Sequence, residues 1–384
     1  MAGFKDLKGQ GHAPTLFMAF LYFDMSFMVW TMLGPLASEI AAALALNGRI
    51  LTDGEIATLV SLPILSGAIL RIVLGFGVDK LGAKTTVLIS QMVVILSLIT
   101  AYLMGDTITY EILLIVALGL GFAGAAFAVA LPQAGQWYPP KLQGVVLGIA
   151  GAGNIGVVID FIFAPKIAEY YGWYSVFGVG AVMAIIVFIA YAFLAKNAPA
   201  DIYTSHPKKV KDYIKLLGDK DTWWFSLFYA ISFGGFVGFA GAVLRPVGGN
   251  TADKVGGVKS LYFFYGMVAG LVTLTVLVEL PFYAAIFVLF LIMANLGMAN
   301  GAVFQLVPQR FGKDIGIMTG LVGCAGGLGG TALIKTLGWS KGTFGGYTEG
   351  FLIFGAVVLV AIVALSLVKT RWRTTWGVQA GGRI

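Results

Sequence analysis

Two arginines, Arg71 and Arg245, are the residues whose type and position in this sequence point most directly to chemistry. Each lies inside a long apolar stretch, eight residues before an aspartate in a polar segment. Eight helical residues rise about 12 Å, nearly half of a hydrocarbon layer about 30 Å thick. No acidic residue occupies a comparable position beside either arginine. Because a charge at that depth is costly and usually functional, the pair predicts an anion site.

The guanidinium group also restricts which anion fits. It is planar and presents its donors as a fork, which suits a flat anion with three oxygens better than the point charge of lysine does. The alternative is structural, since either arginine could cap helix ends or be neutralised by Asp24, the acid deep in the first predicted helix. Asp24 is equally open to two interpretations, a proton-coupling site or a structural partner of an arginine.

Three further polar residues lie in or beside the predicted helices. Asn154 is eleven residues after Gln143 of a predicted loop, near mid-depth, where its amide could donate to the bound anion. Asp160 and Glu279 are predicted close to helix ends, at the membrane interface.

The elements that position these residues are predicted to be membrane-spanning helices. The chain is 59 % apolar and only 11 % charged, whereas a soluble domain carries about 25 % charged residues. Apolar stretches of about 20 residues recur and predict eleven helices, with 223–252 as one block. With both termini cytoplasmic, nineteen lysines and arginines fall on the inside and four on the outside.

This charge distribution also limits the possible partners. The net charge of +7 is explained by the lysines and arginines on the cytoplasmic side of the predicted helices. The sequence therefore predicts contact with a lipid bilayer and no binding of nucleic acid. The two histidines, His12 and His206, lie outside the apolar stretches, and Cys324 is the one cysteine. A histidine–cysteine metal site in the membrane is therefore excluded, and no cofactor is predicted.

The chain is predicted to consist of two related halves, residues 1–195 and 223–384, joined by a cytoplasmic linker, 196–222. Within the linker, 210–217 is predicted as either a short interfacial helix or a solvated loop. The halves repeat, because Arg71 and Arg245 are each followed by glycine after four residues and by aspartate after eight. Such duplication is typical of secondary transporters whose substrate site lies between the halves.

Two sets of motifs give this repeat a specific resemblance. The loop residues Gly75, Asp79, Lys80 and Gly82 resemble the loop motif of the major facilitator superfamily, and a second copy comprises Gly249, Asp253, Lys254 and Gly256. The glycine-rich stretches 148–156 and 320–330 resemble the two signatures of the nitrate/nitrite porter family within it.

The resemblance implies an all-α polytopic membrane protein with the major facilitator superfamily fold, two pseudo-symmetric helical bundles on a twelve-helix plan. It implies a site in which aromatic rings sandwich the anion and a tyrosine hydroxyl donates to it, with the glycine signatures close by. The residues that match this site are Arg71, Arg245, Asn154, Tyr229, Phe127, Phe233, Phe304, Gly151 and Gly323. For the glycines, close helix packing is favoured over direct contact with the anion.

The implied function is alternating-access transport of nitrate or nitrite across the cytoplasmic membrane by a functional monomer. The sequence around Asp24 resembles the subgroup linked to proton symport, which favours nitrate/H⁺ symport over nitrate/nitrite antiport. The other candidates are a carrier of another small anion or organic acid, an anion channel, and, weakest, a membrane enzyme. No nucleophile–base pair or haem histidine lies at membrane depth to support an enzyme.

The sequence departs from the twelve-helix plan in one segment. The two halves align with an offset of 208 residues at their first helices but of 174 residues at the arginines, which leaves about 34 residues missing between Trp223 and Arg245. The junction is predicted near Ala240–Gly241. Either the outer halves of helices seven and eight have been deleted, or the sequence lacks a segment of a longer chain.

Overall fold

The computed structural model describes residues 11–138, 146, 149–199, 210–234, 239–311 and 315–379, and within these ranges the chain forms helices and no strand. Helices are expected, because hydrocarbon offers no hydrogen-bond partners and a helix satisfies its backbone internally. The chain divides into two compact units, Met1–Leu51 with Thr58–Val210, and Thr52–Ala57 with Lys211–Ile384. The all-α prediction is confirmed.

The first unit holds the helices that carry Asp24, Arg71, Phe127 and Asn154. They are α1 (Ala13–Thr31), α2 (Ala37–Leu46), α3 (Asp53–Leu81), α4 (Ala83–Met104), α5 (Tyr110–Gly124), α6 (Phe127–Gln136), α7 (Ile155–Tyr171) and α8 (Trp173–Leu194). A short 3₁₀ turn, Ala152–Asn154, precedes α7. A turn over 32–36, which contains Pro35, separates α1 from α2, because proline disfavours a continuous helix.

The second unit holds the helices that carry Tyr229, Arg245 and Phe304. The helices from the linker onward are α9 (Val210–Leu217), α10 (Lys220–Gly234), α11 (Phe239–Val255), α12 (Gly257–Leu277), α13 (Phe282–Phe311), α14 (Ile315–Phe344), α15 (Thr348–Thr374) and α16 (Trp376–Gln379). The linker segment 210–217 is therefore helical, as one of the two interpretations predicted.

Ten helices in the described ranges are long and apolar enough to cross a membrane. Eleven were expected, with 223–252 counted as one block, and in that block the structure describes α10 over Lys220–Gly234 and α11 over Phe239–Val255. Ala240 and Gly241, where a junction was predicted, lie in the first described turn of α11, and the junction stays a prediction. The stretch between the two helices, 235–238, lies outside the described residues.

The repeated loop motif forms the same structure in both units. In the first unit a single residue, Gly82, separates α3 from α4, and in the second Gly256 separates α11 from α12. Both glycines have positive φ angles, 80° and 105°, which side chains with a Cβ rarely adopt. Lys80 and Lys254 lie exposed in the last turn of the preceding helix. The side chains of Asp79 and Asp253 lie outside the described part.

A charge cluster fixes the start of α10, the helix that carries Tyr229. The side chain of Asp221 is 4 % exposed and accepts from Arg310 Nε at 2.8 Å and from Trp372 Nε1 at 2.7 Å. Arg371 also pairs with Asp221. The cluster joins α10 to the ends of α13 and α15, so the carboxylate is compensated by two guanidinium groups although it is buried.

Candidate anion-binding site

Arg71 lies in the interior of α3 with 2 % of its surface exposed. Its Nε donates to the carbonyl oxygen of Gly124 at 3.2 Å, and its guanidinium carbon lies 5.6 Å from the ring centres of both Trp30 and Phe127. Trp30 is itself held, because its Nε1 donates to the carbonyl of Pro63 at 2.8 Å. The guanidinium is therefore oriented by one hydrogen bond and two aromatic faces, which attract a cation through the ring quadrupole.

Arg245 has a matching environment on α11. Its guanidinium carbon lies 4.9 Å from the ring centre of Phe304 on α13. The two helices meet closely because α13 has glycines at the contact. A Cβ on Gly297 or Gly301 would overlap the backbone of α11 at Gly241 and Arg245 respectively. Small residues at a helix interface allow such backbone approach, and here they bring the arginine to the aromatic ring.

An aromatic cluster on α10 continues from Phe304. Tyr229 is 1 % exposed, meets Phe304 edge-on at 5.0 Å and stacks on Phe233 at 5.3 Å between ring centres. Both geometries are favoured arrangements of aromatic pairs. Three residues predicted from the resemblance, Tyr229, Phe233 and Phe304, are thus brought together beside Arg245.

The first unit contains the same cluster, which the sequence analysis missed. Phe23 lies 6.0 Å from Phe127 and 4.2 Å from Phe27 between ring centres. Phe23 and Phe27 precede Tyr229 and Phe233 by the same offset of 206 residues. The repeated aromatic pair four residues apart in both first helices was the available signal. At the first ring of this pair the second unit carries a hydroxyl, on Tyr229, and the first unit does not, at Phe23.

The first glycine signature packs α7 and its preceding turn against α1 at Asp24. A Cβ on Gly153 would lie 2.7 Å from the backbone nitrogen of Asp24, and one on Gly156 would overlap its carbonyl oxygen. Around Gly151, in contrast, there is no atom within 4 Å of the Cβ position. The half-buried Asn154 lies between these contacts, in the 3₁₀ turn. Gly153 and Gly156 serve helix packing, whereas Gly151 borders open space.

The second glycine signature makes the equivalent contacts on α14. A Cβ on Gly326 would overlap the ring of Tyr229, and one on Gly329 would overlap the carbonyl oxygen of Ala230. Gly320 has no atom within 4 Å of its Cβ position, and Gly323 is buried. The signature therefore seats α14 against α10 and holds the ring of Tyr229 in place.

The acidic residues differ from expectation in one respect. Asp24 is half-buried on α1 and, within the described ranges, forms no ion pair with an arginine. Asp160 was placed near a helix end, but α7 runs to Tyr171, eleven residues beyond Asp160. It is 3 % exposed. Asp24 is therefore not the only deep acid. Glu279 lies exposed beyond the end of α12, as predicted.

No group of three histidine, cysteine or acidic side chains in the described part of the chain could hold a metal ion. The charged groups beside the aromatic clusters are the guanidinium groups of Arg71 and Arg245. Arg71 belongs to the first unit and Arg245 to the second. That they face one cavity stays a prediction.

Comparison with known proteins shows that this chain is similar to transporters. The family model described as "Major Facilitator Superfamily" matches residues 15–237. The chain is 29 % identical to the "Nitrite extrusion protein" of Bacillus subtilis, over 88 % of this chain and 89 % of that protein. It is 28 % identical to the "Probable nitrate/nitrite transporter NarK2" of Mycobacterium tuberculosis, over 93 % and 97 %. The partially occluded inward-open structure of the xylose transporter XylE from E. coli matches with a TM-score of 0.69 and 13 % identity, covering 91 % of this chain and 96 % of that one.

Proposed function

Since the chain belongs to the Major Facilitator Superfamily and, within it, to the nitrate/nitrite porter family, we propose that it is a secondary transporter of nitrate or nitrite in the cytoplasmic membrane. The observation that carries this proposal is the arginine held over an aromatic ring in each unit, at Arg71 with Phe127 and at Arg245 with Phe304. A repeated pair of such cations within an apolar bundle supports recognition of a small anion.

The chemistry of the two clusters fits a planar oxyanion. Each guanidinium presents parallel N–H donors that can bind two oxygens of the anion, and each is oriented in advance by its aromatic neighbour. The flanking rings supply flat, apolar walls that keep water away and strengthen these hydrogen bonds. The hydroxyl of Tyr229 and the amide of Asn154 are proposed as further donors, Tyr229 from the second unit and Asn154 from the first.

Transport is proposed to follow an alternating-access cycle in which the two units rock about the bound anion. The one-residue junctions at Gly82 and Gly256 tie consecutive helices of each unit tightly together, so each unit can move as a body. We further propose that the protein acts as a monomer in the lipid bilayer with both termini in the cytoplasm, as the distribution of lysine and arginine favours.

Uptake into proteoliposomes tests this function directly. Purified protein reconstituted with internal nitrate or nitrite should exchange external labelled nitrate far faster than protein-free vesicles. Labelled xylose and chloride serve as control solutes and should not enter. If chloride or an organic acid is exchanged and nitrate is not, the substrate assignment is wrong. A rate that is unsaturable and of channel magnitude would contradict a carrier.

Coupling to protons is proposed to involve Asp24, with nitrate/nitrite antiport as the alternative. Strict exchange needs no titratable group, because the returning anion balances the arginine charge. Symport needs a group that changes protonation during the cycle. Asp24 is half-buried on α1, directly beside the glycines that precede and begin α7 and next in sequence to Phe23 of the aromatic cluster. Its carboxyl therefore lies on the helix that carries part of the proposed site.

We expect Asp24→Asn to lose nitrate accumulation driven by a pH gradient and to retain exchange against internal nitrate. The amide has the size of the acid and cannot release a proton. Tracer uptake with and without an imposed gradient measures both activities in one preparation. If the unmodified protein ignores the gradient and works only with a counter-anion inside, antiport is correct and Asp24 is structural.

A further inference from the structure

Asp160 is a buried acid that the proposed anion site does not use. It lies inside α7, eleven residues before the end of the helix, with 3 % of its surface exposed, and its Oδ2 accepts a hydrogen bond from the hydroxyl of Thr31 at 2.9 Å. Thr31 is the last residue of α1, where the helix gives way to the turn before α2. An ionisable side chain at such depth is costly and marks a functional site by default.

The described helices α1 and α8, which pack against α7, carry no lysine, arginine or histidine. α7 packs against α1, α8 and the 3₁₀ turn. Their titratable side chains are one acid and three phenols: Asp24, Tyr22, Tyr174 and Tyr191. On α7 itself, Lys166 and Glu169 are exposed towards the helix end.

Helix α3 also approaches this region, because Val60 on α3 and Phe161 on α7 both lie within about 4 Å of the Cβ position of Gly34. The deep cation of α3, Arg71, is engaged with Gly124, Trp30 and Phe127. Asp160 therefore has the neutral hydroxyl of Thr31 as its hydrogen-bond partner and receives no cation from α1 or α8, which favours a carboxylic acid over a carboxylate.

The end of α1 adds to this preference. The last carbonyl groups of a helix carry a partial negative charge, which disfavours a nearby anion. The hydroxyl of Thr31 lies 2.9 Å from Asp160 Oδ2 and 3.2 Å from the carbonyl oxygen of Phe27. With one proton, it can donate to only one of them at a time. A neutral Asp160 can donate its proton to the hydroxyl oxygen of Thr31, and the Thr31 hydroxyl can then donate to the carbonyl oxygen of Phe27. An ionised Asp160 can only accept, so the Thr31 hydroxyl donates to the carboxylate instead of to Phe27.

We propose that Asp160 is a proton-binding group of this transporter and that Thr31 relays its charge state to the end of α1. The proposal deepens the proposed function and rests on it for the link to nitrate. The proton comes from water and returns to water, with one O–H bond broken and one formed. Ionisation redirects the Thr31 hydroxyl away from the backbone carbonyl of Phe27, so the charge state of Asp160 affects the end of α1, the helix that carries Phe23 and Phe27 of the first aromatic cluster.

Transport measurements test the link to nitrate. Asp160→Asn keeps the hydrogen bond from Thr31 and cannot ionise, so it should keep nitrate counterflow and lose pH-driven accumulation. A symporter that moves one proton with each nitrate is electroneutral and accumulates nitrate about tenfold for each unit of pH difference across the membrane. In Asp160→Asn this accumulation ratio should fall to about one. Thr31→Val should shift the pH dependence of uptake, whereas Thr31→Ser, which keeps the hydroxyl, should not. Unchanged accumulation by Asp160→Asn would overturn the proposal.

An infrared measurement tests proton binding without transport. Purified protein near neutral pH should show the carbonyl stretch of a neutral carboxylic acid that disappears in Asp160→Asn and remains in Asp24→Asn. If Asp160→Asn leaves the spectrum unchanged, Asp160 is ionised and the inference is wrong. Absence of nitrate counterflow in the unmodified protein would instead refute the proposed function, and the infrared band alone would then decide whether Asp160 holds a proton.

Discussion

Replacing Arg71 or Arg245 by lysine is expected to reduce nitrate transport severely while leaving the protein folded. Lysine keeps the positive charge and loses the planar fork that binds two oxygens at once. A hydrogen bond to a charged group contributes about 1.5–3 kcal/mol, so losing one of two parallel bonds, together with the orientation they impose, lowers uptake by about tenfold to a hundredfold.

The surroundings of Arg71 make the lysine substitution informative. The guanidinium lies near two rings, 5.6 Å from the centres of Trp30 and of Phe127, and donates through Nε to Gly124. An ammonium group at the end of a flexible chain cannot reproduce these three contacts together. The same holds for Arg245, whose guanidinium lies 4.9 Å from the ring centre of Phe304.

The measurement is initial uptake of labelled nitrate into proteoliposomes of matched protein content, with folding checked by size-exclusion chromatography and thermal unfolding. Arg373→Lys is the matched control, because Arg373 is exposed in the last turn of α15 and undergoes the same chemical change outside the site. Near-normal uptake by a folded Arg71→Lys or Arg245→Lys protein would show that these arginines do not coordinate the anion.

Much of this site could be predicted from the sequence because the chain is duplicated. The depth of Arg71 and Arg245 followed from counting residues to the next polar segment, and the structure places both inside helices. Gly82 and Gly256, assigned from the repeat and its resemblance to the superfamily's loop motif, form the same one-residue junction in both units. Periodicity along a single chain is enough for such assignments, because each depends only on local helix geometry.

The remaining features depend on contacts between helices, which a sequence does not state. Phe23 and Phe27 had no motif to distinguish them among 28 phenylalanines, and their role emerged from the rings they touch. Asp160 was misplaced because α7 continues through Pro165 to Tyr171, so a residue predicted near a helix end lies eleven residues before it. Gly241, at the predicted junction, is helical and packs against Gly297, a contact between helices that the sequence alone does not indicate.

Gly156→Ala is expected to destabilise the protein strongly, whereas Gly151→Ala, five residues earlier in the same signature, is expected to fold normally. A Cβ on Gly156 would overlap the carbonyl oxygen of Asp24, which is backbone and cannot turn aside. Overpacking of this kind costs about 1–3 kcal/mol, and here it would also move α1 relative to α7. Around Gly151 no atom lies within 4 Å, so alanine adds helix propensity without a clash.

Comparison of Gly156→Ala with Gly151→Ala shows whether a glycine of the first signature serves helix packing or lines the path of the anion. Thermal unfolding of purified protein in one detergent should show a lower midpoint for Gly156→Ala and an unchanged or higher one for Gly151→Ala. Gly329→Ala and Gly320→Ala repeat the contrast in the second unit, because a Cβ on Gly329 would overlap the carbonyl of Ala230 and one on Gly320 meets open space. If Gly151→Ala folds normally and transports poorly, the open space beside it belongs to the path of the anion. If Gly156→Ala is as stable as the unmodified protein, α1 and α7 are not held together by this contact, and the placement of Asp24 beside Asn154 must be revised.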